Sequence, residues 1–177
     1  DDTYSGSVVI PSTVTYNGMT YRVTRIGEYA FLQDENLSSV TIPNSVTSIG
    51  GWAFYSCTAL KDVYCYAENV PSTDAAAFNS SNYSKATLYV PAGSLESYKT
   101  TSPWSGFGNI VALSPFSGEA EIDGINYELN GETKQATVIA KSSGSYSDEV
   151  VIPESVEHEG TTYSVTSIGD EAFYKCS

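Results

Sequence analysis

Val46-Thr47-Ser48-Ile49-Gly50-Gly51-Trp52-Ala53-Phe54-Tyr55-Ser56-Cys57-Thr58-Ala59-Leu60-Lys61-Asp62-Val63-Tyr64-Cys65 decides the fold, because the stretch 23 residues earlier carries the same skeleton. Val23, Ile26, Gly27, Ala30, Phe31, Leu37 and Val40 return as Val46, Ile49, Gly50, Ala53, Phe54, Leu60 and Val63, each displaced by 23. A fixed period of this length is the signature of stacked repeat units, each too small to bury its apolar face alone.

The second half of the unit has the Leu-x-x-Leu-x-Leu spacing of a leucine-rich-repeat strand, with Val and Ile in place of two leucines. Side chains alternate faces along a strand, so Val40 and Ile42 point inward while Ser39 and Thr41 point out. One repeat later Val63 and Cys65 point inward, and Asp62 and Tyr64 outward. A degenerate third unit runs from Ala77-Phe78 to Leu88-Tyr89-Val90-Pro91. Stacking the units predicts one outward column of Val9, Thr41, Tyr64 and Tyr89, with Ser7, Ser39, Asp62 and Thr87 beside it. Pro11, Pro43, Pro91 and Pro153 are expected to close strands, because proline lacks the donor for a further ladder bond.

A second repeat appears at an offset of 142: Val9-Ile10-Pro11, Gly18, Thr20-Tyr21, Val23-Thr24, Ile26-Gly27 and Ala30-Phe31 return as Val151-Ile152-Pro153, Gly160, Thr162-Tyr163, Val165-Thr166, Ile168-Gly169 and Ala172-Phe173. Both copies carry a hairpin after the Ile-Pro strand; in the first it turns at Asn17-Gly18, a favoured type I′ pair. Ser94 is placed to cap a short helix over Leu95 to Lys99. Beyond it Trp104 and Phe107 lead into an apolar strand, Ile110 to Leu113, which caps the first module. Ser114 to Gly118 reads as a linker, and a new hairpin opens at Ile125 to Leu129 and Ala136 to Ala140. The expected fold is a strand-rich leucine-rich-repeat solenoid with short helical turns, β-hairpin insertions and irregular caps. Residues 1–116 form the end of a first module with its C-terminal cap, and 117–177 the opening hairpins and first turn of a second. The second module stops at Cys176-Ser177, before its next inner strand. The natural protein is therefore expected to extend further, or a neighbouring copy to supply the missing surface by strand addition or swapping.

Composition bounds the function. Eight Lys and Arg against 21 Asp and Glu give a formal charge of -13, which opposes any phosphate backbone and excludes nucleic acid as a partner. The deficit is uneven: residues 1–116 carry 5 basic and 9 acidic side chains, and 117–177 carry 3 and 12. No apolar run is long enough to span a bilayer, and no signal peptide is present in the sequence. Cys57 and Cys176 share one repeat position and Cys65 falls where Ile42 sits a unit earlier, so all three are expected in the core as small hydrophobes.

The stretch Ile42-Pro43-Asn44-Ser45-Val46-Thr47-Ser48-Ile49-Gly50, followed by Ala53-Phe54 and Cys57, resembles the BspA-like leucine-rich repeats of bacterial surface proteins. The likeness is direct over residues 8 to 65 and 150 to 177. Val90-Pro91-Ala92-Gly93-Ser94-Leu95 and Asp123-Gly124-Ile125 look like flanks found in such proteins from Bacteroidetes. The resemblance implies a secreted or cell-surface location and a role in adhesion or binding of host proteins; it names no functional residue, and a scaffold alone does not fix a function.

Among candidate sites, the outward face at Thr41, Asp62, Tyr64, Thr87 and Tyr89 is the expected ligand contact, since tyrosine offers a large, fairly rigid body with a hydroxyl. The same side chains can instead do no more than stabilise cross-strand pairs. The expected partner is an unidentified host or bacterial surface protein or glycan. An architectural spacer displaying another domain is the alternative, and a glycan-active enzyme a remote one resting on carboxylates and exposed aromatics. Glu119 with Glu121, or Glu157 with Glu159, can hold a calcium ion or serve as acid and base, but no calcium-loop motif accompanies them, and a solvated face is the simpler reading. His158, the single histidine, aligns with Tyr16 and reads as a solvated strand residue with no nucleophile or orienting group at a telling distance. Trp104 and Phe107 are expected to cover the last repeat, and Trp52 to be partly exposed. Neither a cofactor nor a metal, nor catalysis, is called for.

Overall fold

The computed structural model describes residues 4–114, 116–141, 146, 149–174 and 176. The chain divides into two compact units, Asp1–Leu113 and Ser114–Ser177. Pro115, inside the expected linker, lies outside the described residues.

Unit 1 contains β1 (Gly6–Val9), β2 (Thr13–Tyr16), β3 (Met19–Arg22), β4 (Arg25–Ile26), β5 (Leu37–Ile42), β6 (Ser48–Ile49), β7 (Asp62–Cys65), β8 (Ser72–Thr73), β9 (Thr87–Val90), α1 (Leu95–Thr100) and β10 (Asn109–Ala112). Its main sheet is parallel, in the order β1-β5-β7-β9-β10. A second parallel sheet, β4-β6-β8, forms where the Ile-Gly part of the first two repeats passes, with Thr73 pairing at the place of Ile49 in the third. Parallel pairing follows from the repeat: each turn of chain runs in the same sense and returns one strand further along.

The repeated apolar positions become the core. Leu37, Val40 and Ile42, then Leu60, Val63 and Cys65, then Leu88 and Val90 are fully buried; each Leu, Val or Ile among them contributes about 1.5–3 kcal/mol relative to exposure. The repeated phenylalanines form a ladder. Phe31 and Phe54 stack at 5.0 Å, and Phe54 and Phe78 at 5.2 Å, with planes within 5° of parallel. Trp104 and Phe107 meet Phe78 edge-on at 5.6 and 5.2 Å and end the ladder. Trp104 is buried, and its Nε1 donates to Thr73 Oγ1 at 3.0 Å.

Backbone bonds also join the turns opposite the sheet: Phe31 N donates to Ala53 O, and Phe54 N to Ala77 O, both at 2.8 Å. The residue before three of the Ala-Phe pairs sits in the left-handed region, with φ of +62° at Tyr29, +52° at Trp52 and +59° at Glu171, whereas Ala76 before Ala77-Phe78 does not.

The opening hairpin is β2 paired with β3, turning at Asn17 (φ +50°) and Gly18 (φ +75°), the type I′ geometry that Asn-Gly favours. Ser94 precedes α1 as expected, but its hydroxyl does not cap the helix; it donates to Glu68 O, tying the helix start to the preceding loop.

Unit 2 contains β11 (Gly118–Ile122), β12 (Ile125–Asn130), β13 (Gln135–Val138), β14 (Ser155–His158) and β15 (Thr161–Ile168), in one mixed sheet of order β11-β12-β13-β15-β14. β13 pairs β15 in parallel and the other three pairs are antiparallel. The all-parallel main sheet of unit 1 is therefore not repeated here. Val151-Ile152-Pro153 forms no strand, whereas Val9 of the equivalent Val9-Ile10-Pro11 ends β1. β1 is held by β5, and no described strand lies beside residues 149–153 to take that part.

Two expectations about single residues are corrected. Cys57 and Cys65 are buried, whereas Cys176 is exposed. Cys57 Sγ donates to Phe31 O of the preceding turn, and the following turn bonds to its carbonyl through Asn82 N; no such contact is found at Cys176 among the described residues. His158 is not simply solvated: it is half-buried, its ring 4.6 Å from that of Phe116.

Candidate functional site

The register of the parallel sheet fixes which outward side chains are neighbours. Thr41 pairs with Tyr64 and Tyr64 with Tyr89, extended by Val9 on one side and Val111 on the other. Beside them Ser39 pairs with Asp62 and Asp62 with Thr87, extended by Ser7 and Asn109. Thr41, Asp62, Tyr64, Thr87 and Tyr89 are thus brought together, all half-buried, while Val40, Val63 and Leu88 between them are fully buried on the opposite face.

Within this patch the two phenol rings are ordered by each other. Tyr64 and Tyr89 stack with centroids 4.4 Å apart and planes 8° from parallel, and Tyr89 Oη donates to Asp62 Oδ1 at 3.3 Å. Burial, with the Asp62 carboxylate next in importance, pushes the Tyr89 phenol above its usual range, so it remains a protonated donor. Asp62 is the single carboxylate among these ten sheet positions, set in a field of Ser, Thr, Asn and Val. Such a surface presents a preset aromatic pair, one acceptor and small polar groups.

The other candidates are dispersed. Glu119 and Glu121 lie exposed on one face of β11. Glu159 is not on β14 beside Glu157 but in the following turn at φ +47°, so strand alternation does not pair the two. Among the described residues no group of three or more His, Cys, Asp or Glu is placed to hold a metal ion. An open cleft in unit 2 is lined by Ser117, Glu128, Asn130, Gln135 and Thr137 among others. The thiols of unit 1 are inert by position: burial pushes Cys57 up to about 12, with the Asp34 charge adding to it, and Cys65 up to about 11.

One pair escaped the sequence reading. Tyr29 and Trp52, both half exposed, stack at 5.5 Å with parallel planes on the turns opposite the sheet. The signal was available, since the two are 23 residues apart.

Residues 7–102, 96 of the 177, match the model of the BspA type leucine-rich repeat region, in 6 copies. The chain belongs to the BspA-type leucine-rich repeat family. Among solved structures it is similar to a leucine-rich repeat protein from Bacteroides capillosus, at 33% identity over 60% of this chain and 76% of that one, with a TM-score of 0.46. It is also similar to a leucine rich cell surface protein from Faecalibacterium prausnitzii, at 19% identity over 99% of this chain and 69% of that one, with a TM-score of 0.37. Among curated proteins there is no match. No helix among the described residues is long and apolar enough to cross a membrane.

Proposed function

We propose that this BspA-type chain is a non-enzymatic binding module of a secreted or surface-exposed bacterial protein, and that its ligand is a host or bacterial surface protein. Unit 1 is read as part of a solenoid, in which parallel turns add side by side and their outward positions form one continuous surface. The contact is assigned to Thr41, Asp62, Tyr64, Thr87 and Tyr89.

The observation that carries this reading is the Tyr64–Tyr89 stack held by Asp62. Ordering two aromatic side chains before a partner arrives removes part of the entropy that association must otherwise overcome. Tyrosine is also among the residues that dominate interface energetics.

The test is saturable binding of the chain to immobilised extracellular-matrix proteins, with mucin as the glycan arm. Binding to a protein that is lost in the Tyr64→Ser/Tyr89→Ser variant supports the proposal. Binding that survives the double substitution removes the assigned face, and absence of any saturable partner favours a spacer role.

A further inference from the structure

The opening hairpin of unit 1 presents an uncovered apolar face, and the same chain shows what covers such a face. In the β2–β3 register Val14 pairs with Tyr21 and Tyr16 with Met19. Alternation puts these four on one face and Thr13, Thr15, Thr20 and Arg22 on the other. Val14 is 45% exposed, Tyr21 46%, Met19 58% and Tyr16 69%. A two-stranded ribbon is marginal by itself, and a contiguous exposed apolar patch marks a place of interaction.

Shifted by 142, the same four positions are Val156, Tyr163, Thr161 and His158 on β14–β15. There the face is covered: Val156 is 7% exposed and Tyr163 fully buried, with His158 and Thr161 half-buried. The cover comes from the segment that precedes the hairpin in sequence. Phe116 packs its ring on His158 and accepts the Tyr163 hydroxyl at its carbonyl, at 2.8 Å. β13 pairs in parallel with residues 164–168 of β15.

A further position behaves alike. Tyr4 and Tyr146 are equivalent, and each ring meets the repeat phenylalanine, Tyr4 with Phe31 at 5.0 Å and Tyr146 with Phe173 at 5.2 Å. Tyr146 is 4% exposed, its hydroxyl accepting from Asn126 N and donating to Ile139 O, both at 2.9 Å, whereas Tyr4 is 51% exposed. The strand edge that corresponds to residues 164–168 is also open among the described residues, where β3 pairs only with β2 and β4 is the outermost strand of β4-β6-β8.

We propose that Tyr4, Val14, Tyr16, Met19 and Tyr21 form a docking surface for a three-stranded β-meander of the build of residues 118–138. That meander is joined ahead of this module on the same polypeptide, as residues 118–138 are joined ahead of the second hairpin. Its third strand pairs in parallel along residues 22–26, an aromatic at the place of Phe116 covers Tyr16, and backbone groups at the places of Asn126 and Ile139 take the Tyr4 hydroxyl. Modules so clasped fold cooperatively with what precedes them.

Met19, the single methionine, reports on this face through its rate of oxidation by peroxide. The test compares the full chain with a chain carrying a second copy of residues 114–142 joined ahead of Asp1, which reproduces the spacing of unit 2. Hydrogen exchange is followed at residues 13–22 and in the added segment. In the extended chain Met19 oxidation is expected to slow several-fold, and the hairpin and the added strands to gain protection together. An extension whose copies of Leu129 and Val138 are changed to Glu is expected to leave the rate unchanged.

Unchanged Met19 oxidation in the extended chain overturns the proposal, whether or not the added segment is itself protected. Equal slowing by the Glu-bearing extension overturns it as well. Met19 protection in the unextended chain that grows with protein concentration assigns the face to a second copy instead, and also overturns it.

Discussion

The backbone nitrogen of Glu28 lies 2.7 Å from where a Cβ on Gly50 would stand. Successive turns approach here so closely that the position admits no side chain, and the obstacle is main chain that cannot rotate away. Gly27 holds the same place one repeat earlier, with nothing within 4 Å of its Cβ position. Gly50→Ala is therefore expected to lose about 1–3 kcal/mol of stability, and Gly27→Ala to change it by less than about 1 kcal/mol. Urea denaturation of the two variants beside the parent checks the contrast.

The phenylalanine ladder concentrates packing at its middle rung. Phe54 is fully buried between Phe31 and Phe78, so Phe54→Ala removes contacts on both ring faces. A loss of about 3–5 kcal/mol is expected, measured as the shift in denaturation midpoint. A loss under about 1 kcal/mol would mean that the repeats do not stack through this residue.

The cysteines divide by exposure. A neutral disulfide reagent is expected to modify Cys176 in the native chain, and Cys57 and Cys65 only as unit 1 unfolds, because the latter two are buried. Their raised values carry a sign: a thiol with an ordinary value of 9.0 that is pushed up to about 12 at Cys57 binds its proton more tightly when folded. Its contribution is fully present below pH 9.0 and is lost as pH rises from there towards about 12. Denaturation midpoints between pH 8 and 11 should fall in the parent and fall less steeply in Cys57→Ala.

What was legible in the sequence followed from the period. Residues 23 apart occupy equal places on successive turns, so the neighbours of Tyr64 in the sheet could be named before any coordinates, and the inward run of Val40, Val63 and Leu88 with them. Legibility ended where the outcome depends on what covers a residue. Val14 and Val156 are equivalent in sequence, yet one is 45% exposed and the other 7%, because among the described residues a meander packs on the second and none on the first. Cys176 and Val151 failed as core and strand for the same reason: position in a repeat assigns a face, and a neighbouring turn is needed to bury it. Ser94 was placed correctly at its helix start, but a hydroxyl there can bond a nearby carbonyl as well as its own helix.

Inward residues hold the sheet, and the proposed role of the outward Tyr64–Tyr89 pair is to meet the partner. The most direct measurement sets melting temperature beside affinity for the captured protein ligand in Tyr64→Ser/Tyr89→Ser. The prediction is an affinity loss of at least about tenfold, or roughly 1.4 kcal/mol, with a stability change within about 1 kcal/mol. A variant that melts well below the parent while binding with unchanged affinity would contradict it, leaving the stacked tyrosines as supports of the sheet alone.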